Sequence, residues 1–172
     1  MKKLVLMTVI LLSSVSMYAQ HRVGSITLQP KAGLNIADIT SSDDDIRVGA
    51  VTGAEFEFQL TDIFSISSGT LYSQQGVKHA KLDYLNIPLL ANVYVAPGLA
   101  VKLGLQPAFN INDDDYNGVN SVDLSIPVGL SYEINNFVLD ARYNFGVTKI
   151  IDNFDSKHSV FQFTLGYKIK LK

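Results

Sequence analysis

From Ser25 almost to the C-terminus, apolar and polar residues alternate with a period of two. In residues 25–37 the apolar set is Ile26, Leu28, Ala32, Leu34 and Ile36, and Thr27, Gln29, Lys31, Gly33 and Asn35 lie between them. Successive side chains of a strand point to opposite faces, so this spacing predicts a strand with one apolar and one polar face. The pattern returns in residues 48–60, 63–75, 83–95, 100–110, 121–134, 137–147 and 159–170. The sixth segment shows it best, with Val122, Leu124, Ile126, Val128, Leu130, Tyr132 and Ile134 on one side. The third is weakest, because Phe64, Ile66 and Tyr72 share their face with Ser68 and Thr70.

The connections carry a second pattern. Thr61-Asp62, Ala96–Leu99 and Asn135-Asn136 read as tight turns, whereas 38–47, 76–82, 111–120 and 148–158 are longer and mostly polar. Strict alternation of short and long links places all turns at one rim of an up-and-down barrel and all loops at the other, as in outer-membrane barrels. The segments also suit tilted membrane-crossing strands of about 9–11 residues. No apolar run beyond the first residues is long enough for a spanning helix, so a membrane-spanning form requires closure into a barrel. The fold predicted is all-β: an eight-stranded antiparallel up-and-down transmembrane barrel.

Two features orient the faces. Gly33, Gly49, Gly53, Gly69, Gly104, Gly129, Gly146 and Gly166 all fall on the polar face. A narrow eight-strand lumen needs the space that glycine leaves, and a solvated outer surface does not. On the apolar face, Phe58, Phe64, Tyr132, Phe137 and Tyr167 lie near the short turns, and Phe109, Tyr143, Phe145 and Phe161 near the long loops. Two aromatic girdles around an aliphatic band mark the two membrane interfaces. Pro30, Pro88, Pro107 and Pro127 fall inside the segments. Proline cannot donate to a ladder, so local bulges are expected there.

The N-terminus reads as a secretory signal over residues 1–19, with Lys2 and Lys3, an apolar Leu4–Leu12 and a small-residue cleavage site ending at Ala19. Residues 20–172 then form one barrel domain. Cleavage removes Lys2 and Lys3 from the fourteen basic residues, leaving twelve against sixteen acidic ones and a net charge of −4. That balance argues against a nucleic-acid partner. The chain has no cysteine, which excludes disulfides and thiol chemistry.

On this orientation Lys31, Lys102, Arg142, Lys168 and Lys170 enter the lumen with Glu55, Glu57, Asp123, Glu133 and Asp140. Buried charges must be paired, so a paired plug is expected, with Lys31 and Glu55 as a cross-strand pair. The competing reading is an ion or solute path, for which an eight-strand lumen offers little room. Asp113, Asp115 and Asn117, followed by Gly118, resemble the start of a calcium loop, but Leu124 stands where a bidentate Glu is required. A solvated acidic loop is the expected reading. Together with Asp43-Asp44-Asp45 it offers acid that divalent cations could bridge to lipopolysaccharide phosphates. His21 lies in the N-terminal stretch and His79 and His158 in or beside long links, without a Ser and carboxylate placed to make a catalytic triad. No catalytic residue and no cofactor is expected. The Thr164-x-Gly166-x-x-Ile169-x-Leu171 run looks like the C-terminal signal read by the barrel-assembly machinery, although Lys172 follows it.

Lys31–Asn35, Leu71-Tyr72-Ser73-Gln74-Gln75, Tyr84–Leu90, Asp140–Asn144 and Leu165-Gly166-Tyr167 together resemble the outer-membrane barrels of Bacteroidota known as PorT-like or "porin family" proteins. The resemblance implies an eight-strand barrel in the cell outer membrane and no common activity. The function expected is a non-enzymatic integral outer-membrane protein whose barrel anchors surface loops. Its expected partners are membrane lipid and lipopolysaccharide, with the assembly machinery during biogenesis. A small channel, a lipid-modifying enzyme and a soluble periplasmic lipocalin-like barrel are the alternatives.

Overall fold

The computed structural model describes residues 22–39, 47–77, 80–111, 122–147 and 158–172. The signal segment, His21, His79, the aspartates of 43–45 and the 113–118 motif lie outside the described residues. Ten strands follow one another: β1 (Ile26–Ile39), β2 (Arg47–Thr61), β3 (Phe64–Val77), β4 (Ala80–Asn86), β5 (Leu89–Ala96), β6 (Leu99–Asn110), β7 (Val122–Ile134), β8 (Phe137–Gly146), β9 (His158–Tyr167) and β10 (Ile169–Lys170). β4 and β5 are two parts of one stave, since both pair with β3 and β6. β9 and β10 share another, since both pair with β1. The result is eight antiparallel staves, closed where β1 meets β9 and β10.

Closure carries a stagger. The pairings lead from Ile26 through Phe58, Ile66, Ala91, Leu103, Val128, Tyr143 and Phe161 back to Ile36, ten residues further along β1. With strands about 4.7 Å apart and a rise of about 3.3 Å per residue, that stagger tilts the staves by roughly 40°. The barrel radius is then about 8 Å, enough for side chains to fill the interior.

The polarity of the interior is inverted relative to a water-soluble protein. Twenty-three polar or charged residues are buried among the described ones, against eight apolar. Leu34, Leu103, Leu130 and Phe163 face outward with about half their area exposed (54%, 54%, 52% and 49%). Such a surface needs hydrocarbon around it. Aromatic pairs brace both ends of this belt. Phe137 meets Tyr167 edge-on near the turns at 5.2 Å, and Tyr143 meets Phe161 at 4.5 Å on the loop side.

Three expectations are corrected. The predicted bulges at the prolines are absent, and side-chain parity holds past every one. At Pro88 the ladder pauses between β4 and β5, yet Asn86 opposes Ala108 and Leu89 opposes Leu105 in one continuous register. At Pro127 the β6–β7 pairing resumes without an inserted residue. A missing N–H removes a bond from the ladder without requiring an extra residue. The register shifts seen lie beside turns, between Gln59 and Thr61 and between Tyr94 and Ala96.

The second correction concerns the 76–82 link, which is not a long loop. Strand pairing continues to Val77↔Ala80, so residues 78–79 alone join β3 to β4. The loop rim therefore carries three long links and one tight one. The first turn also sits one residue later than expected, at Asp62-Ile63. The other turns follow their residues. Asn135 takes a φ of 56° and Gly98, after Pro97, a φ of 73°, conformations that Asn and Gly adopt at least cost.

The third correction is the reason for the glycines. A Cβ on Gly33 would lie 1.9 Å from the carbonyl oxygen of Phe163, and one on Gly69 would lie 2.1 Å from that of Ala54. The space is taken by the neighbouring backbone of a tightly curved sheet. At Gly129 and Gly166 lumen side chains also press, with Arg142 Cγ and Lys31 Cγ each 2.9 Å from a would-be Cβ.

Candidate functional site: the lumen

Parity brings the charged residues of six staves to one axis. Midway along the barrel Lys31, Glu55, Lys102, Asp140 and Arg142 form a single ionic layer. Lys31 Nζ lies 2.6 Å from Glu55 Oε2 and 3.3 Å from Asp140 Oδ2. Lys102 Nζ meets the same Asp140 oxygen at 2.7 Å. Arg142 reaches both acids, through Nη2 to Glu55 at 2.6 Å and through Nε to Asp140 at 2.7 Å. The side chains of Lys31, Glu55 and Arg142 are 0% exposed. Lys31 and Glu55 contact one another diagonally, since Lys31 opposes Gly53 and Glu55 opposes Gln29.

A second layer lies nearer the turn rim. Lys168 Nζ is 2.7 Å from Glu57 Oε2 and also bridges to Glu133. The Tyr94 hydroxyl sits between the two acids, 2.7 Å from Glu57 Oε1 and 2.8 Å from Glu133 Oε1. It also accepts from Lys168 at 3.1 Å. Gln29 and Ser65 donate to Glu57, and Asn92 donates to Ser65 at 3.0 Å. The mid-barrel layer holds three cations and two anions, and the turn-side layer one cation and two anions. Each is unbalanced alone. Stacked, their four cations and four anions cancel, which attracts one layer to the other through a low-dielectric interior.

The remaining candidates sit elsewhere. Asp123 is half-buried at the loop end of the lumen, beside Tyr84 and Ser125 and away from the ionic layers. Lys170 is exposed, not buried, because β10 lies opposite the start of β1, with Lys170 pairing Thr27 at the turn rim. Asp113, Asp115 and Asn117 lie outside the described residues. His158 begins β9, where its backbone pairs with Ile39. Among the described residues no three His, Cys, Asp or Glu gather as metal ligands. Sequence reasoning missed Tyr94, Gln29, Ser65 and Asn92 as members of the network. Their parity already placed them inward, but attention to charge passed over neutral donors.

The sequence matches the family described as outer membrane protein beta-barrel domain over residues 18–152. The chain belongs to this family. No match is found among the curated proteins. Solved barrels resemble it in fold alone. The attachment invasion locus protein Ail of Yersinia pestis is 13% identical, with 86% of this chain and 100% of that one covered and a TM-score of 0.54. Neisserial surface protein A is 15% identical, with coverages of 84% and 97% and a TM-score of 0.55. The N-terminal barrel domain of Pseudomonas aeruginosa OprF is 15% identical, with coverages of 86% and 98% and a TM-score of 0.50. As an outer-membrane barrel, this family member has an interior held by charge and an exterior held by lipid.

Proposed function

We propose that this outer-membrane barrel is a non-enzymatic, non-conducting scaffold that anchors its long connections at the membrane surface for structural or binding roles. The observation that supports the reading best is the mid-barrel ionic layer. Lys31, Glu55, Asp140, Lys102 and Arg142 meet across the axis at 2.6–3.3 Å with little or no exposure. A barrel about 8 Å in backbone radius leaves no room for an aqueous path beside such a plug, in contrast to barrels of sixteen or more strands. Charges buried in this way are costly to separate, so the plug holds the staves together rather than opening with thermal motion. Reconstitution in planar bilayers tests the reading. No steady conductance is expected, and a defined single-channel current of uniform size would overturn it.

The connections are where binding belongs, since loops on a rigid scaffold carry variable function. The acidic runs Asp43–Asp45 and Asp113–Asp115 fall in two of the three long links. They suit divalent cations shared with lipopolysaccharide phosphates. In vesicles containing lipopolysaccharide, calcium then raises the unfolding temperature; an unchanged temperature dismisses that partner. Export by cleavage after Ala19, insertion by the barrel-assembly machinery through the last strand, and placement among the PorT-like barrels of Bacteroidota complete the proposal. Mass spectrometry of the membrane-inserted protein tests the cleavage: a chain beginning at Gln20 is expected, and an intact N-terminus counts against it.

A further inference from the structure

The loop-side half of the lumen is built differently from the ionic half. Asn35, Asn86, Gln106, Asn144 and Gln162 all turn inward there, each at least nine-tenths buried. The register sets them at similar depth, with Asn35 opposite Gln162 and both Asn86 and Gln106 on staves adjoining in the same ladder. Few of their hydrogen-bonding atoms are used. Asn35 donates to Ser73 Oγ at 2.6 Å, and Asn144 reaches Gln162 Oε1 only at 3.5 Å. Asn35 Oδ1, both side-chain atoms of Asn86, Gln106 Oε1, Asn144 Oδ1 and Gln162 Nε2 have no protein partner. Asn86, Gln106 and Asn144 line one small cavity of about 20 Å³.

Buried amide atoms without partners are costly, and a polar cavity of this size holds about one water molecule when two to four partners surround it. The guest has to accept as well as donate, because Asn86 is left open at both ends of its amide. That conclusion survives exchange of the oxygen and nitrogen of that amide. Metal ions and ammonium do not fit this description, since they have nothing to offer the spare N–H groups. Asp123 also lines the cavity, so its charge is part of the guest's surroundings.

We propose that the loop-side lumen is a water-binding site. A water molecule bridges Asn86, Gln106 and Asn144.

Water-to-amide cross-relaxation by NMR, with the barrel in phospholipid nanodiscs, tests this directly. Cross-peaks at the water frequency are expected on the side-chain amide protons of Asn86, Gln106 and Asn144. Silence at all three loop-side amides overturns the proposal. The double variant Asn86→Leu/Gln106→Leu fills the cavity. It is expected to erase the Asn144 signal while the protein keeps its heat-dependent shift on gels, and an Asn144 signal of unchanged intensity in the folded variant overturns the bridge. The measurement on the unaltered protein stands by itself if that variant fails to fold.

Discussion

Glu57 and Asn86 are both buried in the lumen wall, at 4% and 0% exposure, yet they are treated in opposite ways. Around Glu57 gather Lys168, Tyr94, Ser65 and Gln29. Around Asn86 no protein group reaches either side-chain atom. The difference follows from what each group costs when left alone. An unpaired buried carboxylate costs several kcal/mol or more, so the fold brings partners from several staves to it. An unpaired amide costs about 1–3 kcal/mol, and one water can remove most of that. Of the charged atoms in the described lumen, Arg142 Nη1 has no partner, and Arg142 lies where the ionic layer meets the amides, opposite Gln162.

The contrast can be broken most sharply at that boundary. Replacing Arg142 with Leu leaves Glu55 and Asp140 with Lys31 as the one cation bridging both, and a loss of about 3–5 kcal/mol is expected. Urea-induced unfolding in phospholipid vesicles measures it. If Glu55 is removed as well, the two losses should fall well short of adding, because one uncompensated charge disappears with the other. Full additivity would mean that the pair is not a unit.

The next effect tests inside against outside. Lys102 and Leu103 are neighbours on β6, one in the lumen at 4% exposure and one on the outer face at 54%. Leu103→Arg puts a charge into hydrocarbon and is expected to cost about 2–4 kcal/mol by the same unfolding measurement. A neutral result would show that this face does not meet lipid.

Smaller still is Tyr94→Phe, which removes one hydroxyl from between Glu57 and Glu133. A hydrogen bond to a charged group is worth about 1.5–3 kcal/mol, so a loss near 2 kcal/mol is expected. Least of all is Asn144→Leu in the loop-side half. Its bond to Gln162 is long, and an apolar side chain of similar volume should change stability by less than about 1 kcal/mol. An Asn144→Leu loss as large as that of Tyr94→Phe would erase the distinction between the two halves.

Much of this was legible along the chain and some was not. The alternation set Lys31, Glu55, Lys102, Glu133, Asp140, Arg142 and Lys168 on one face, because a period of two is a property of each strand alone, and the glycines and aromatic girdles turned that face inward. The same rule held across Pro88 and Pro127, where bulges were expected. It said nothing about the end of the chain, where Lys170 has the right parity and yet is exposed at the rim. It also could not see that the 76–82 segment pairs with itself. Gly76 and Lys81 look like loop residues locally, and only their direct opposition across β3 and β4 makes them strand.

Faces, girdles and the location in a membrane are therefore written in local order, since each needs only the identity of a residue and its neighbours two positions away. Partnership is not local. Arg142 meets a carboxylate 87 positions away, and Tyr94 joins acids 37 and 39 positions distant on either side. Those meetings depend on the ten-residue stagger with which the sheet closes, a property of all eight staves at once. Closure alone decides which inward side chains share a level, and so which half of the axis is held by ions and which is left to amides.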